Sequence, residues 1–139
     1  MGYCMNQSDS KFCILAKNKA KALEAIKALA KKTDKQIKDS SGFYFSWVNT
    51  ESFLKATTLE DAFYAWRWEV VASEEGHIHS IMFIGEKLGD DIVLFEAIAP
   101  FVKSGSYIDM QGEDGHNWRW SFKKGKCKEL SGRVVYDED

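Results

Sequence analysis

Apolar positions in this chain alternate, recur at three- and four-residue steps, or run together in short blocks, and each pattern predicts a different element. Residues 1–10 are polar and are expected to fray, with Tyr3, Cys4 and Met5 able to tuck against a core. Phe12 to Ala16 is apolar on both faces, which predicts a short buried strand. From Asn18 to Lys32 the spacing becomes helical. Ala22, Leu23, Ile26, Leu29 and Ala30 form the apolar stripe, lysines fill the gaps, and Asn18 suits the N-cap.

Thr33 to Gly42 reads as a polar loop, and Phe43 to Val48 alternates as a strand does. Thr50 can cap a short turn through Phe53 and Leu54. Thr58, with Asp61 three residues on, opens a helix from Leu59 to Ala65. Trp66 to Ala72 and His77 to Gly85 alternate on either side of Ser73-Glu74-Glu75-Gly76, the pattern of a β-hairpin. Asp90 or Asp91 starts the next helix, whose stripe is Leu94, Phe95, Ile98 and Val102, and Pro100 and Gly105 end it. Ser106 to Gln111 and Asn117 to Lys123 are strands joined by Gly112-Glu113-Asp114-Gly115. A turn at Lys123 to Lys126 leads to Cys127–Leu130, and Arg133 to Tyr136 can add a last strand before the acidic residues 137–139, expected to be flexible.

Strands with hairpin turns, interrupted by helices, predict an α+β fold. It would be a single domain spanning 1–139, a largely antiparallel sheet with about three helices packed mainly on one face. A weak echo supports neighbouring hairpins. Trp66-Arg67-Trp68 parallels Trp118-Arg119-Trp120, and Ile81 to Glu86 parallels Ile108 to Glu113. The hydrophobic share of 45% fills a core at this length without disulfides.

Charge changes the picture. Residues 1–41 carry nine lysines against Asp9, Glu24, Asp34 and Asp39. Residues 49–114 carry thirteen acids against Lys55, Arg67, Lys87 and Lys103. Residues 115–133 carry six basic side chains against Glu129 alone. Such segregation can mark opposed faces with different partners, although chance drift of charge along solvated helix and hairpin faces is the stronger reading, and the acidic middle argues against simple nucleic-acid binding. Cys4, Cys13 and Cys127 form no CxxC pair, and no stretch has the ~20 apolar residues of a membrane span. A cytoplasmic protein with reduced thiols is the expectation.

In each Trp-Arg-Trp, a period of two sends both tryptophans to one face and the arginine to the other. Packing the tryptophans under the helices leaves Arg67 and Arg119 on the open face, within reach of Glu69, Glu86, Glu113 or Asp109. Glu113, Asp114 and His116 bring two carboxylates and an imidazole into one turn. A turn between strands is wet, however, and Asp-Gly is a common hairpin signal, so acid–base catalysis is the weaker reading. His77 and His79 would share a strand face, but the spacing to His116 or Cys127 is a poor metal pattern. Lys126 and Lys128 would lower the pKa of Cys127. The chain has no Walker loop, no GxGxxG opening a helix, no HExxH and no GxSxG.

Ile98-Ala99-Pro100-Phe101-Val102, Gly105-Ser106-Tyr107-Ile108, and Gly112-Glu113-Asp114-Gly115 with Trp118-Arg119-Trp120 and Phe122 resemble a group of small uncharacterised bacterial proteins. The opening Met1 to Phe12 and Gly85 to Asp91 fit the same group, which implies a single-domain bacterial cytosolic protein and no transferable chemistry. The residues themselves favour a non-enzymatic protein that binds another protein, in an inhibitor- or immunity-type role, with no cofactor and no metal. Its binding set would be Arg67, Glu86, Glu113, Asp114, His116 and Arg119. The alternative is a small-ligand or nucleotide-binding domain built on the Trp/Arg strands. An enzyme using His116 with Glu113 or Asp114 ranks third.

Overall fold

The computed structural model describes residues 2–133 and 135–137. Strand β1 is Met5–Lys11. A single 3₁₀ turn leads into helix α1, Lys19–Ala28, and a second 3₁₀ turn follows it. Strands β2, Ile37–Asp39, and β3, Gly42–Tyr44, make a small hairpin. Helices α2, Thr50–Leu54, and α3, Leu59–Ala65, lead to β4, Trp68–Ala72, and β5, Ile78–Phe83. Helix α4 is Asp91–Ile98, continued by a 3₁₀ turn at Ala99–Phe101. Strands β6, Tyr107–Gly112, β7, Asn117–Lys123, and β8, Lys126–Ser131, complete the order. The fold is α+β, and every strand pair is antiparallel.

The main sheet runs β1-β6-β7-β8, with β4-β5 as a separate pair beside β1. Among the described residues, backbone bonds join the β5 and β1 segments at and beyond the ends of their run, through Ile14 with Ile78, through Met5 N–H to Glu86 O at 3.1 Å and through Leu88 N–H to Tyr3 O at 2.7 Å. Between these points the Gln7 side chain does the pairing. Its amide donates to Ile81 O and its carbonyl accepts from Phe83 N–H, at 2.9 and 2.7 Å. Six strands therefore form one layer with a side-chain seam, at a bulge between Gln7 and Asp9.

Period-two alternation decides the faces. Ile108 and Met110 of β6, Trp118, Trp120 and Phe122 of β7, and Trp68 and Val70 of β4 are buried. Phe95 of α4 packs on Trp68, Trp120 and Phe122, with ring centroids 5.1, 5.0 and 5.8 Å away. Phe63 of α3 meets Phe12 edge-on, and α1 packs on α3 and α4. The opposite sheet face carries the alternate residues, and among the described residues no helix covers its exposed Val71, Met82 and Leu130.

Several expectations need correction. Residues 5–11 are not frayed; they form β1, between β5 and β6, while Phe12 and Ile14 are buried beyond its end. The sequence Met-Asn-Gln-Ser-Asp-Ser-Lys hides this strand because a polar side chain closes the seam. The loop at 33–42 contains β2, and only Phe43 and Tyr44 of the expected strand 43–48 are in β3. Trp47 leaves the extended region with φ 65°. Asn18 makes no side-chain cap, and Asn49 rather than Thr50 caps α2, accepting from Ser52 N–H at 3.2 Å. Thr58 caps α3 as expected, accepting from Asp61 N–H at 3.1 Å. The strand expected at 133–136 includes residue 134, and the tail includes 138 and 139, all outside the described residues; Arg133, Val135 and Tyr136 are not in a strand.

Candidate functional site

The two arginines of the Trp-Arg-Trp echo part company. Helix α3 ends at Ala65, and Arg67 donates its N–H to Tyr64 O at 2.9 Å with φ 71°. A residue just past a helix end takes this left-handed conformation, usually as glycine. The turn breaks the strand alternation, so Arg67 does not reach the open face, contrary to the sequence reading, and none of Glu69, Glu86, Glu113 or Asp109 is its partner. Its guanidinium instead lies beneath the 84–91 loop. There it donates to both Asp91 carboxylate oxygens, at 3.0 and 3.2 Å, and to Lys87 O at 2.5 Å.

Asp91 is fully buried, and it also accepts from the Trp68 indole and the Gly89 amide, each at 2.9 Å. Burial pushes its carboxyl above the ordinary range, against the pull of the Arg67 guanidinium and the two N–H donors. Gly89 makes room for this junction. A Cβ there would lie 2.8 Å from Arg67 Nη2 and 2.8 Å from Ser46 O. Neutral and charged partners satisfy Asp91 on several sides, the arrangement a buried carboxylate needs.

Arg119 behaves as the alternation predicts. It sits on the open face, paired with Asp109 across β6–β7 through bonds of 2.5 and 2.9 Å. Its guanidinium lies 4.1 Å from the Tyr107 ring centroid, and the Tyr107 hydroxyl donates to Asp9 at 3.1 Å. Asp9 and Asp109 face each other across β1–β6, so this Arg–Tyr bridge relieves two opposed carboxylates. The hydrogen bond to Asp9 raises the Tyr107 phenol.

The remaining sequence-predicted residues gather at one end of the sheet around Cys4. Glu113 accepts from Cys4 N–H at 3.1 Å, and its own N–H donates to Cys4 O at 2.9 Å. Asp114 accepts from the Tyr3 hydroxyl and from His116 N–H; Tyr3 is pushed up to about 12, and Asp114 is held below its usual range. The His116 ring stacks on Trp118, centroids 5.7 Å apart. Glu86 is exposed and contributes its backbone carbonyl to Met5. Lys87 Nζ donates to Cys4 Sγ at 2.9 Å, which raises the lysine. The structure thus joins Glu86, Glu113, Asp114 and His116 in one neighbourhood, with Arg67 beneath it and Arg119 on the open face.

Sequence reasoning passed over the rest of that open face. Opposite Glu69 stands Met82, 62% exposed, and beside it Val71, 46% exposed. Opposite Arg119 stands Leu130, 47% exposed. Lys123, Lys124, Lys126 and Lys128 line a groove of about 500 Å³ with Ser121 and Leu130. The signal was the cross-strand register, which sets Met82 opposite Glu69 and Leu130 opposite Arg119 on the face away from the tryptophans.

Cys127 faces away from these lysines. Burial, with Glu96 and Glu129 nearby, pushes its thiol up to about 12, the reverse of the lowering that the flanking lysines suggested. His77 accepts from Ala16 N–H through Nδ1 at 2.9 Å, and among the described residues no three His, Cys, Asp or Glu side chains group as a metal site. The three cysteines are free, and no helix of the described residues is long and apolar enough to cross a membrane. Compared with known proteins, the chain matches no family model, and no curated protein or solved structure shows significant similarity to it.

Proposed function

We propose that this chain is a non-enzymatic protein-binding module that acts in the cytoplasm, and that its helix-free sheet face is the interface. The observation that carries this reading is the composition of that face. Exposed Val71, Met82 and Leu130 alternate with Glu69, Asp9, Asp109, Arg119 and the hairpin lysines on a surface built from six strands. Protein interfaces mix apolar and charged groups in this way. The Asp9–Tyr107–Arg119–Asp109 knot holds its charges in fixed positions, which favours partner selection over raw affinity. An inhibitor- or immunity-type role suits a rigid face that requires no reacting group.

The test is a tagged pull-down from the native host extract with three baits: wild type, Met82→Asp and Arg119→Glu. One stoichiometric protein partner is expected on wild type and should be lost from both variants. A partner retained by both would remove the open face from the proposal. Native mass spectrometry of the same preparation addresses the alternative, a small-ligand or nucleotide-binding domain. A retained small molecule with no protein partner would favour that reading.

A further inference from the structure

We infer that the lysine groove on the β7–β8 hairpin receives an acidic segment of the partner protein. This rests on the protein-binding reading and assigns one end of the face to one kind of contact. Lys123 stands directly opposite Lys126, and Lys128 opposite Ser121, while Lys124 holds the turn at φ 51°. All four are exposed, and among the described residues none has a carboxylate within ion-pair distance. Like charges placed directly opposite on a sheet repel.

The acid that could relieve them is directed elsewhere. Glu129 is the single acid among residues 115–133, and it accepts from the Trp120 indole at 2.9 Å, with Trp120 on the covered face. Helix α1 shows the contrast. Its Lys19 pairs with Glu60 at 3.2 Å, and Lys27 donates to Ala56 O at 2.9 Å. The hairpin concentrates positive charge with no counter-charge paired to it among the described residues, so the complementary surface is anionic.

Two features select a short acidic peptide segment over a nucleic acid. Leu130 and the lysine stems give the groove apolar surface, which suits side chains with some carbon content. Farther along the same face, Asp9, Asp109 and Glu69 would repel a long polyanion crossing the sheet. Lysines on an edge strand also deter strand-on-strand aggregation, and that role alone predicts no ligand.

The experiment measures fluorescence anisotropy of a short fluorescein-labelled oligo-glutamate peptide titrated with the full chain at low salt. Saturable binding is expected. Lys126→Gln with Lys128→Gln should weaken the Kd by about tenfold, while the same charge change on α1 and the 3₁₀ turn after it, Lys21→Gln with Lys31→Gln, should alter it by about twofold or less. No saturable binding to wild type would overturn the inference, leaving edge protection as the lysines' role. Equal losses from both double variants would overturn it too, because net charge would then explain the binding. Tighter binding of an oligo-thymidylate would replace the acidic peptide with a nucleic acid. If the pull-down partner is captured normally by the Lys126→Gln/Lys128→Gln chain, the groove falls while the protein-binding reading stands.

Discussion

Trp66-Arg67-Trp68 and Trp118-Arg119-Trp120 are the same tripeptide with opposite fates. In β7 the tripeptide is wholly within a strand, the tryptophans face the helices, and Arg119 reaches the open face with its side chain 45% exposed. In the first copy only Trp68 is in a strand. Trp66 closes α3, Arg67 turns left-handed, and the arginine side chain is 15% exposed over a fully buried carboxylate. Identical residues therefore become a structural tie in one place and a surface group in the other. Backbone context made the choice, because a single αL residue cancels the period of two.

That contrast can be broken at its strongest point first. Arg67→Ala leaves Asp91 buried without its cation, and removal of one partner of a buried pair costs about 3–5 kcal/mol. Urea denaturation should show the loss as a lower midpoint. Arg67 is accordingly unsuitable as a binding probe, since any loss of partner would follow from a damaged fold.

Gly89→Ala attacks the same junction from the other side. Its Cβ would crowd Arg67 Nη2 and Ser46 O, and overpacking of this kind costs about 1–3 kcal/mol. A thermal melt within error of wild type would mean that the 84–91 loop shifts without disturbing the ion pair.

Arg119→Ala should cost only about 0–1 kcal/mol, as exposed pairs do, while weakening capture of the partner. A destabilisation as large as that of Arg67→Ala would show the open-face knot to be structural, and the distinction between the two arginines would collapse.

The smallest effect concerns a third polar tie, Tyr3 with Asp114. In Asp114→Asn the Tyr3 phenol should fall from about 12 towards the ordinary phenol value of 10.0, readable by ultraviolet titration. The carboxyl's pKa is depressed on folding. Its stabilising contribution is therefore present above the unfolded value of 3.8 and is lost as pH falls through the folded value. Wild type and Asp114→Asn should converge in urea midpoint at about pH 2 and separate slightly near about pH 5. Parallel pH curves would sever Asp114 from Tyr3.

Much of this was legible wherever local chemistry and tertiary packing agreed. Helix 59–65, strand 117–123 and the place of Arg119 on the open face follow from caps and alternation, while its partner Asp109 was one of four acids within reach. Strand 5–11 did not, because a strand whose seam is closed by Gln7 need not look apolar. Arg67 was misplaced because the reading ran a helix directly into a strand and left no residue for the turn between them. Gly89-Asp90-Asp91 held the missing clue, a glycine beside two acids, but only the folded chain brings it against Trp68 and Arg67. The open face was half legible: its charges were visible, while its exposed Met82 and Leu130 were not singled out.

The placement of β1 also dictates an order of events during synthesis. Its register partner β6 lies about a hundred residues away, as the Ser8–Asp109 separation of 101 shows. A growing chain exposes its first strand long before that partner leaves the ribosome, and only β5 can offer an interim edge. Closing so long a loop carries an entropic penalty of about (3/2)RT ln n, and non-local pairings slow folding. Until then the nascent strand lacks a full ladder. A polar Asn-Gln-Ser-Asp-Ser sequence, poor in β-aggregation propensity, allows it to wait in water without seeking another chain.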